Sequence, residues 1–108
     1  MGEICHKELT PAELQTQLAD GTVMLVDVRE ADEFAAEHIA GAINMPLSGF
    51  QPSQLPDAGG RLVVLQCAGG KRSGMALEKC AAAQAAIETH LAGGIGAWKA
   101  AGLPVTRG

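Results

Sequence analysis

Runs of consecutive apolar residues divide the chain and predict buried strands. The two strongest runs cover residues 23–28 and 62–65, and both are nearly free of polar side chains. Such runs are typical of strands that are covered on both faces. The short run at residues 42–45 and the segment at residues 87–91 predict further strands, and Ile4-Cys5 predicts a short edge strand.

Apolar residues between these runs recur at helical spacing. Thr10-Pro11 has the pattern of an N-cap followed by proline at the first helical position, and Asp20-Gly21 is a typical helix end. Further helices are predicted at residues 30–37, at residues 73–84 and around Trp98. Because strands alternate with helices, we predict an α/β fold with a small, mainly parallel central sheet and helices on both faces. No repeat or linker divides the sequence, so residues 1–108 are expected to form one domain.

Composition and charge narrow the function classes. The chain has 108 residues, 47% of them apolar, which argues against intrinsic disorder. The net charge is −4 and no Lys/Arg cluster is large enough for a nucleic-acid binder. No apolar run approaches the length of a membrane-spanning helix, and the N-terminus does not resemble a secretory signal. We therefore expect a cytoplasmic protein.

Three cysteines must be considered one at a time. Cys5, Cys67 and Cys80 are odd in number and have no CxxC spacing, which argues against a disulfide framework and a zinc site. Cys80 falls on the apolar face of a predicted helix, so we expect buried packing, with a resolving thiol as the alternative. Cys5 is expected to be structural or incidental. The three histidines are far apart in sequence, suggest no metal site, and include no sequence-local candidate for a general base beside Cys67.

Cys67 stands where a buried strand ends and a helix is about to begin. The residues that follow it, Ala68, Gly69, Gly70, Lys71, Arg72 and Ser73, form the predicted active-site loop. The glycines allow a turn whose amides converge on an anion. The N-terminus of the following helix and the basic side chains also favour a negative charge at this point. We therefore expect the pKa of Cys67 to lie below the usual value of about 8.5. The alternative is a strand-end cysteine that binds nothing.

Asp27 and Arg29 leave the first buried strand at its carboxyl end, as Cys67 leaves its own. In a parallel sheet all three residues meet at the edge where ligands bind. We expect Asp27 and Arg29 to brace the site without performing chemistry. The alternative is a solvated charge pair unrelated to the site.

Three stretches in order resemble the signatures of a single-domain rhodanese, a thiosulfate or persulfide sulfurtransferase. The first is VDVRE at residues 26–30 with EHIAGAINMP at residues 37–46, the second is residues 67–73, and the third is Gly93-Gly94 with Trp98 and GLPV at residues 102–105. Glu37 departs from the family, which often has glycine there. The chain is also similar to the cytoplasmic rhodanese domain of bacterial proteins that add a membrane hairpin, and no such anchor is expected before Gly108.

The resemblance implies a mechanism. The cysteine matching Cys67 would take the outer sulfur of thiosulfate or a persulfide donor as a persulfide, and a thiol or cyanide acceptor would then remove it. Lys71 and Arg72 would hold the sulfonate end of thiosulfate. No metal or cofactor is implied, and a protein donor or acceptor is compatible with this mechanism.

Two other readings stay open. A binding or regulatory module could keep the fold without turnover. A cysteine-dependent phosphatase or arsenate reductase is the other alternative, and those enzymes have a Cys-x5-Arg motif, usually with histidine just before the cysteine. In this chain only four residues separate Cys67 from Arg72, and Gln66 precedes the cysteine.

Overall fold

A five-stranded parallel sheet forms the centre of the protein, in a computed structural model that describes residues 7–83 and 87–107. The strands are β1 (Lys7–Leu9), β2 (Val23–Asp27), β3 (Ile43–Asn44), β4 (Leu62–Gln66) and β5 (Thr89–Leu91). The helices are α1 (Pro11–Asp20), α2 (Ala31–Ala36), α3 (Lys71–Ala82) and α4 (Gly94–Ala100), and two 3₁₀ turns cover Leu47–Gly49 and Pro52–Gln54. The strand order is β1-β5-β4-β2-β3, and all the strand pairs of this sheet are parallel. The predicted α/β class is confirmed.

The sheet separates two apolar clusters. Residues of β2 alternate between them: Met24 and Val26 pack on the side of α3, while Val23 and Leu25 pack on the side of α1 and α4. All five residues of β2 are buried, as its continuous apolar pattern predicts. Helices therefore cover both faces of the central strands.

Local signals in the sequence explain the first helix. Thr10 Oγ1 accepts a hydrogen bond from the Glu13 amide at 3.1 Å, and Glu13 Oε1 accepts one from the Thr10 amide at 2.9 Å. This capping box satisfies two amides that would otherwise lack partners. At the other end, Gly21 adopts the left-handed conformation that ends α1.

The predicted start of α3 is wrong, and the sequence pattern does not predict β1. Helix α3 begins at Lys71 and not at residue 73, because Gly70 has a φ of 101° and turns the chain directly into the helix. The first strand that the structure describes is the half-polar Lys7–Leu9, which no apolar run marks. It is an edge strand that pairs with β5 alone among the described strands. The predicted edge strand at Ile4-Cys5 lies outside the described residues.

Candidate active site

The carboxyl ends of β2 and β4 bring the predicted site residues to one edge of the sheet. The two strands are neighbours, with Asp27 opposite Gln66 in the register. The Val28 amide continues the pairing by donating to the Gln66 carbonyl oxygen at 2.8 Å. Cys67 thus leaves the sheet beside the residues that follow Asp27, as the parallel arrangement predicts.

The Cys67 sulfur lies in a cradle of hydrogen-bond donors. The Gly70 amide donates to Sγ at 3.0 Å, and the Ser73 hydroxyl oxygen lies 3.6 Å from Sγ. Burial raises the pKa of the thiol, but the Ser73 hydroxyl and the amides of Ser73, Gly70 and Gly69 together outweigh it. The net effect holds the pKa of Cys67 below its ordinary value, in the predicted direction. These hydrogen bonds come from the loop and the first turn of α3.

The first turn of α4 holds the backbone of this cradle from the outside. The Ile95 amide donates to the Cys67 carbonyl oxygen at 2.8 Å, and the Gly96 amide donates to the Ala68 carbonyl oxygen at 3.0 Å. Gly94, with a φ of 60°, lies so close that a Cβ atom there would overlap the Cys67 carbonyl oxygen. The glycine pair at the start of α4 therefore allows α4 to dock onto the loop after Cys67, a role that the sequence pattern alone does not reveal.

Arg72 is paired with a carboxylate that the sequence analysis did not single out. Its Nη1 and Nη2 atoms donate to the two carboxylate oxygens of Glu33 at 2.6 and 3.0 Å. The hydrogen bond from Arg72 is the main reason that the pKa of Glu33 falls to about 2, and the same contact raises the pKa of Arg72. Lys71, by contrast, is exposed at the start of α3. The guanidinium at the mouth of the cradle is thus already neutralised by α2.

Asp27 and Arg29 form a buried ion pair. The Asp27 side chain is 0% and the Arg29 side chain 5% exposed, with Nη2 2.9 Å from Oδ2. Arg29 also donates to the Glu37 carbonyl oxygen at 2.6 Å, and Asn44 Nδ2 donates to the carbonyl oxygens of Asp27 and Arg29. The pair ties the end of β2 to α2 and β3, and it is not solvated. A bracing role in the reaction stays a prediction.

Ser73 and His90 extend the site into the sheet. Ser73 is fully buried, and its hydroxyl oxygen lies 2.8 Å from Nδ1 of His90, a buried residue of β5. His90 Nε2 lies 3.4 Å from a carboxylate oxygen of Glu8 on β1. The sequence offers no sequence-local histidine as a base for Cys67, but in the folded chain only the Ser73 hydroxyl separates His90 from the sulfur. The contact forms because β5 is the sheet neighbour of β4.

The remaining candidates lie elsewhere. Cys80 is buried with Ala76 and Leu77 on the inner face of α3, and burial raises the pKa of its thiol. Cys5 lies outside the described residues. Trp98 is buried and donates its indole N–H to the Pro104 carbonyl oxygen at 2.8 Å. Within residues 7–83 and 87–107, no group of three or more His, Cys, Asp or Glu side chains is placed to hold a metal ion.

Comparison with known proteins decides the family. Residues 10–101 match the rhodanese-like domain family. The chain belongs to this family. It is 46% identical over 99 residues to an uncharacterized protein of Synechocystis sp., covering 92% of this chain and 55% of that protein.

Solved rhodanese-related structures have the same fold. A rhodanese-related protein from Thermoplasma volcanium aligns with a TM-score of 0.78 and 28% identity, over 94% of this chain and 98% of that one. A thiosulfate sulfurtransferase from Pseudomonas aeruginosa aligns with a TM-score of 0.80 and 26% identity, over all of this chain and 21% of that one. The rhodanese-like chain spans about half the length of the curated relatives it matches. Among its described helices, none is long and apolar enough to cross a membrane.

Proposed function

We propose that the protein is a sulfurtransferase that carries a sulfane sulfur on Cys67. The observation that supports this most directly is the Gly70 amide, which donates to the Cys67 sulfur at 3.0 Å within a loop whose amides converge on the same point. Such a cradle stabilises an anionic sulfur before the reaction and would do so for the terminal sulfur of a persulfide afterwards. Buried Cys80 has no comparable set of donors.

The proposed reaction has two displacement steps. The Cys67 thiolate attacks the outer sulfur of thiosulfate, a new S–S bond forms, and the original S–S bond breaks to release sulfite with its electron pair. A thiolate or cyanide acceptor then attacks the terminal sulfur of the persulfide, and the Cys67 thiolate leaves. With an organic persulfide as donor, the leaving group is a thiolate instead. The scheme balances without a metal, an oxidant or a reductant.

Loop size favours sulfur transfer over phosphate chemistry. Four residues separate Cys67 from Arg72, one fewer than in the Cys-x5-Arg pattern, so the loop encloses a smaller space. We place the proposed reaction in the reducing cytoplasm, where Cys67 and Cys80 would remain thiols.

The proposal is tested by intact mass after incubation with thiosulfate. Wild-type protein is expected to gain one sulfur atom, which cyanide removes as thiocyanate. Cys67→Ser abolishes both the adduct and the thiocyanate, because a serine hydroxyl is not ionised near neutral pH. Cys80→Ser is the matched control and retains both. An adduct that maps to Cys80, or a wild-type protein with neither adduct nor thiocyanate for thiosulfate and persulfide donors, contradicts the proposal; the second result favours a non-catalytic module.

A further inference from the structure

We propose that His90 is a positioning residue that sets the reactivity of Cys67 through the Ser73 hydroxyl. The inference deepens the proposed function, since it concerns the same sulfur. It begins from the buried Ser73 oxygen, which has three neighbours: Cys67 Sγ at 3.6 Å, the Gly70 carbonyl oxygen at 3.1 Å and His90 Nδ1 at 2.8 Å. A hydroxyl has one proton to share among these three groups.

The protonation state of Cys67 decides where that proton is needed. A Cys67 thiol donates its own S–H to Ser73, which then donates to the Gly70 carbonyl or to the imidazole. A Cys67 thiolate can only accept, so the Ser73 proton must turn toward the sulfur to stabilise it. His90 then determines whether this rotation is available, because an unprotonated Nδ1 competes for the same proton at a shorter distance.

A proton on His90 Nδ1 removes this competition. Nδ1–H donates to the Ser73 oxygen, and the Ser73 hydroxyl is free to donate to the thiolate. Both the neutral Nδ1–H tautomer and the imidazolium satisfy this condition. The relay therefore consists of two hydrogen bonds that point toward the sulfur, from His90 to Ser73 and from Ser73 to Cys67, and it involves no net proton transfer.

The surroundings of His90 suit this role. His90 is 6% exposed and lies on β5, the strand between β1 and β4, with its ring against Ser73 of α3. The Glu8 carboxylate faces Nε2 from β1, Ser73 faces Nδ1 from α3, and the β4 neighbour in register, Leu65, is apolar. A carboxylate accepts hydrogen bonds, so a relay that engages both Glu8 and Ser73 requires a proton on each ring nitrogen.

The test is the pH dependence of Cys67 alkylation in paired variants. His90→Leu removes the donor to Ser73, and we expect the midpoint of the alkylation profile to rise by about one pH unit, which corresponds to one lost hydrogen bond to an anion. At pH values below both midpoints the rate constant then falls about tenfold, and it returns to the wild-type value at high pH. His90→Asn, whose side-chain amide can donate from the position of Nδ1, is expected to restore most of the shift.

If His90 acts through Ser73, the effect of His90→Leu must depend on Ser73; a merely structural role of His90 would not. In a Ser73→Ala background, His90→Leu is expected to move the midpoint by less than about one-third of the shift seen in the wild-type background. An equal shift in both backgrounds, or a rate loss that is the same at every pH, overturns the inference.

Ring-nitrogen NMR of the wild-type protein provides a second test that depends on no variant and therefore on no altered fold. Nδ1 is expected to carry a proton when Cys67 is a thiolate, and an unprotonated Nδ1 in that state overturns the inference. Alkylation does not require sulfur transfer. A midpoint shift in a protein that forms no persulfide would therefore contradict the proposed function and leave the His90 relay intact.

Discussion

Glu33 competes with an anionic donor for the Arg72 guanidinium. The two side chains form a bidentate ion pair at the mouth of the cradle, with Nη–Oε distances of 2.6 and 3.0 Å. A thiosulfate dianion that uses Arg72 must displace this carboxylate or bind beside its negative charge. We therefore expect Glu33→Gln to make thiosulfate a better donor, on the proposed function of the site.

The size of the effect follows from the exposure of the pair. The Arg72 and Glu33 side chains are 31% and 36% exposed, so solvent screens much of their attraction. The Arg72 contact lowers the pKa of Glu33 to about 2, but solvent screening limits the free energy of a partly exposed ion pair to about 1 kcal/mol. Releasing about 1 kcal/mol corresponds to a rise of about fivefold in kcat/KM for thiosulfate.

The assay compares donors in two matched variants. Glu33→Gln keeps an oxygen that can accept the Glu30 amide, so the N-terminus of α2 retains that contact. Glu37→Gln makes the same chemical change on a half-buried side chain that pairs with Lys99 instead of Arg72. We expect only Glu33→Gln to raise kcat/KM for thiosulfate. A persulfide donor without a sulfonate group is expected to show less than about a twofold change.

Two outcomes would refute this reasoning. One is an unchanged or lower kcat/KM for thiosulfate in Glu33→Gln with an unchanged fold. The other is an equal gain in Glu37→Gln, which would indicate a general charge effect.

The ion pair also predicts that the protein loses stability in acid. Since the pKa of Glu33 is lowered in the folded state, the stabilisation by this pair is present above pH 4.5 and is lost as the pH falls toward about 2. Urea unfolding at several pH values checks this, because the loss must be smaller in Glu33→Gln.

Two stability predictions concern the supports of the site, and urea unfolding measures both. Gly94 and Gly59 both have a positive φ, but of the two only Gly94 faces backbone atoms that a Cβ atom would overlap. We therefore expect Gly94→Ala to lower the free energy of unfolding by at least about 3 kcal/mol, and Gly59→Ala to lower it by about 1 kcal/mol. Asp27→Asn leaves Arg29 charged and buried, so we expect a loss of about 3 kcal/mol, against less than about 1 kcal/mol for Glu88→Gln in an exposed ion pair. Equal losses within either pair of variants would contradict the corresponding argument.

The sequence predicts those parts of the molecule whose structure depends on residues that are close together along the chain. The apolar runs locate β2 and β4, and Thr10-Pro11 locates the start of α1, because burial pattern and capping act over a few positions. The active-site loop is predictable for the same reason, since Cys67 and the glycines that turn the chain are adjacent. The start of α3 was placed two residues late because the conformation of Gly70 is not visible in the sequence.

Contacts between distant residues could not be predicted in the same way. The partners Arg72 and Glu33 are 39 positions apart, and Ser73 and His90 are 17 apart. No periodicity or spacing connects such pairs, because they meet only after the sheet places β5 beside β4 and α2 beside the loop. A histidine in a short buried strand therefore gives no sign of its neighbour.

These distant contacts matter because a short loop cannot hold an anion site by itself. The amide of Gly70 can stabilise the Cys67 sulfur only if the loop carbonyls point elsewhere, and α4 provides this by donating from Ile95 and Gly96 to the carbonyls of Cys67 and Ala68. The carbonyl dipoles are thereby directed away from the sulfur, while the amides remain directed toward it. The negative charge of a Cys67 thiolate would thus be stabilised by a backbone arrangement that the sheet edge and α4 fix before any donor arrives, so the proposed sulfur transfer would need little reorganisation.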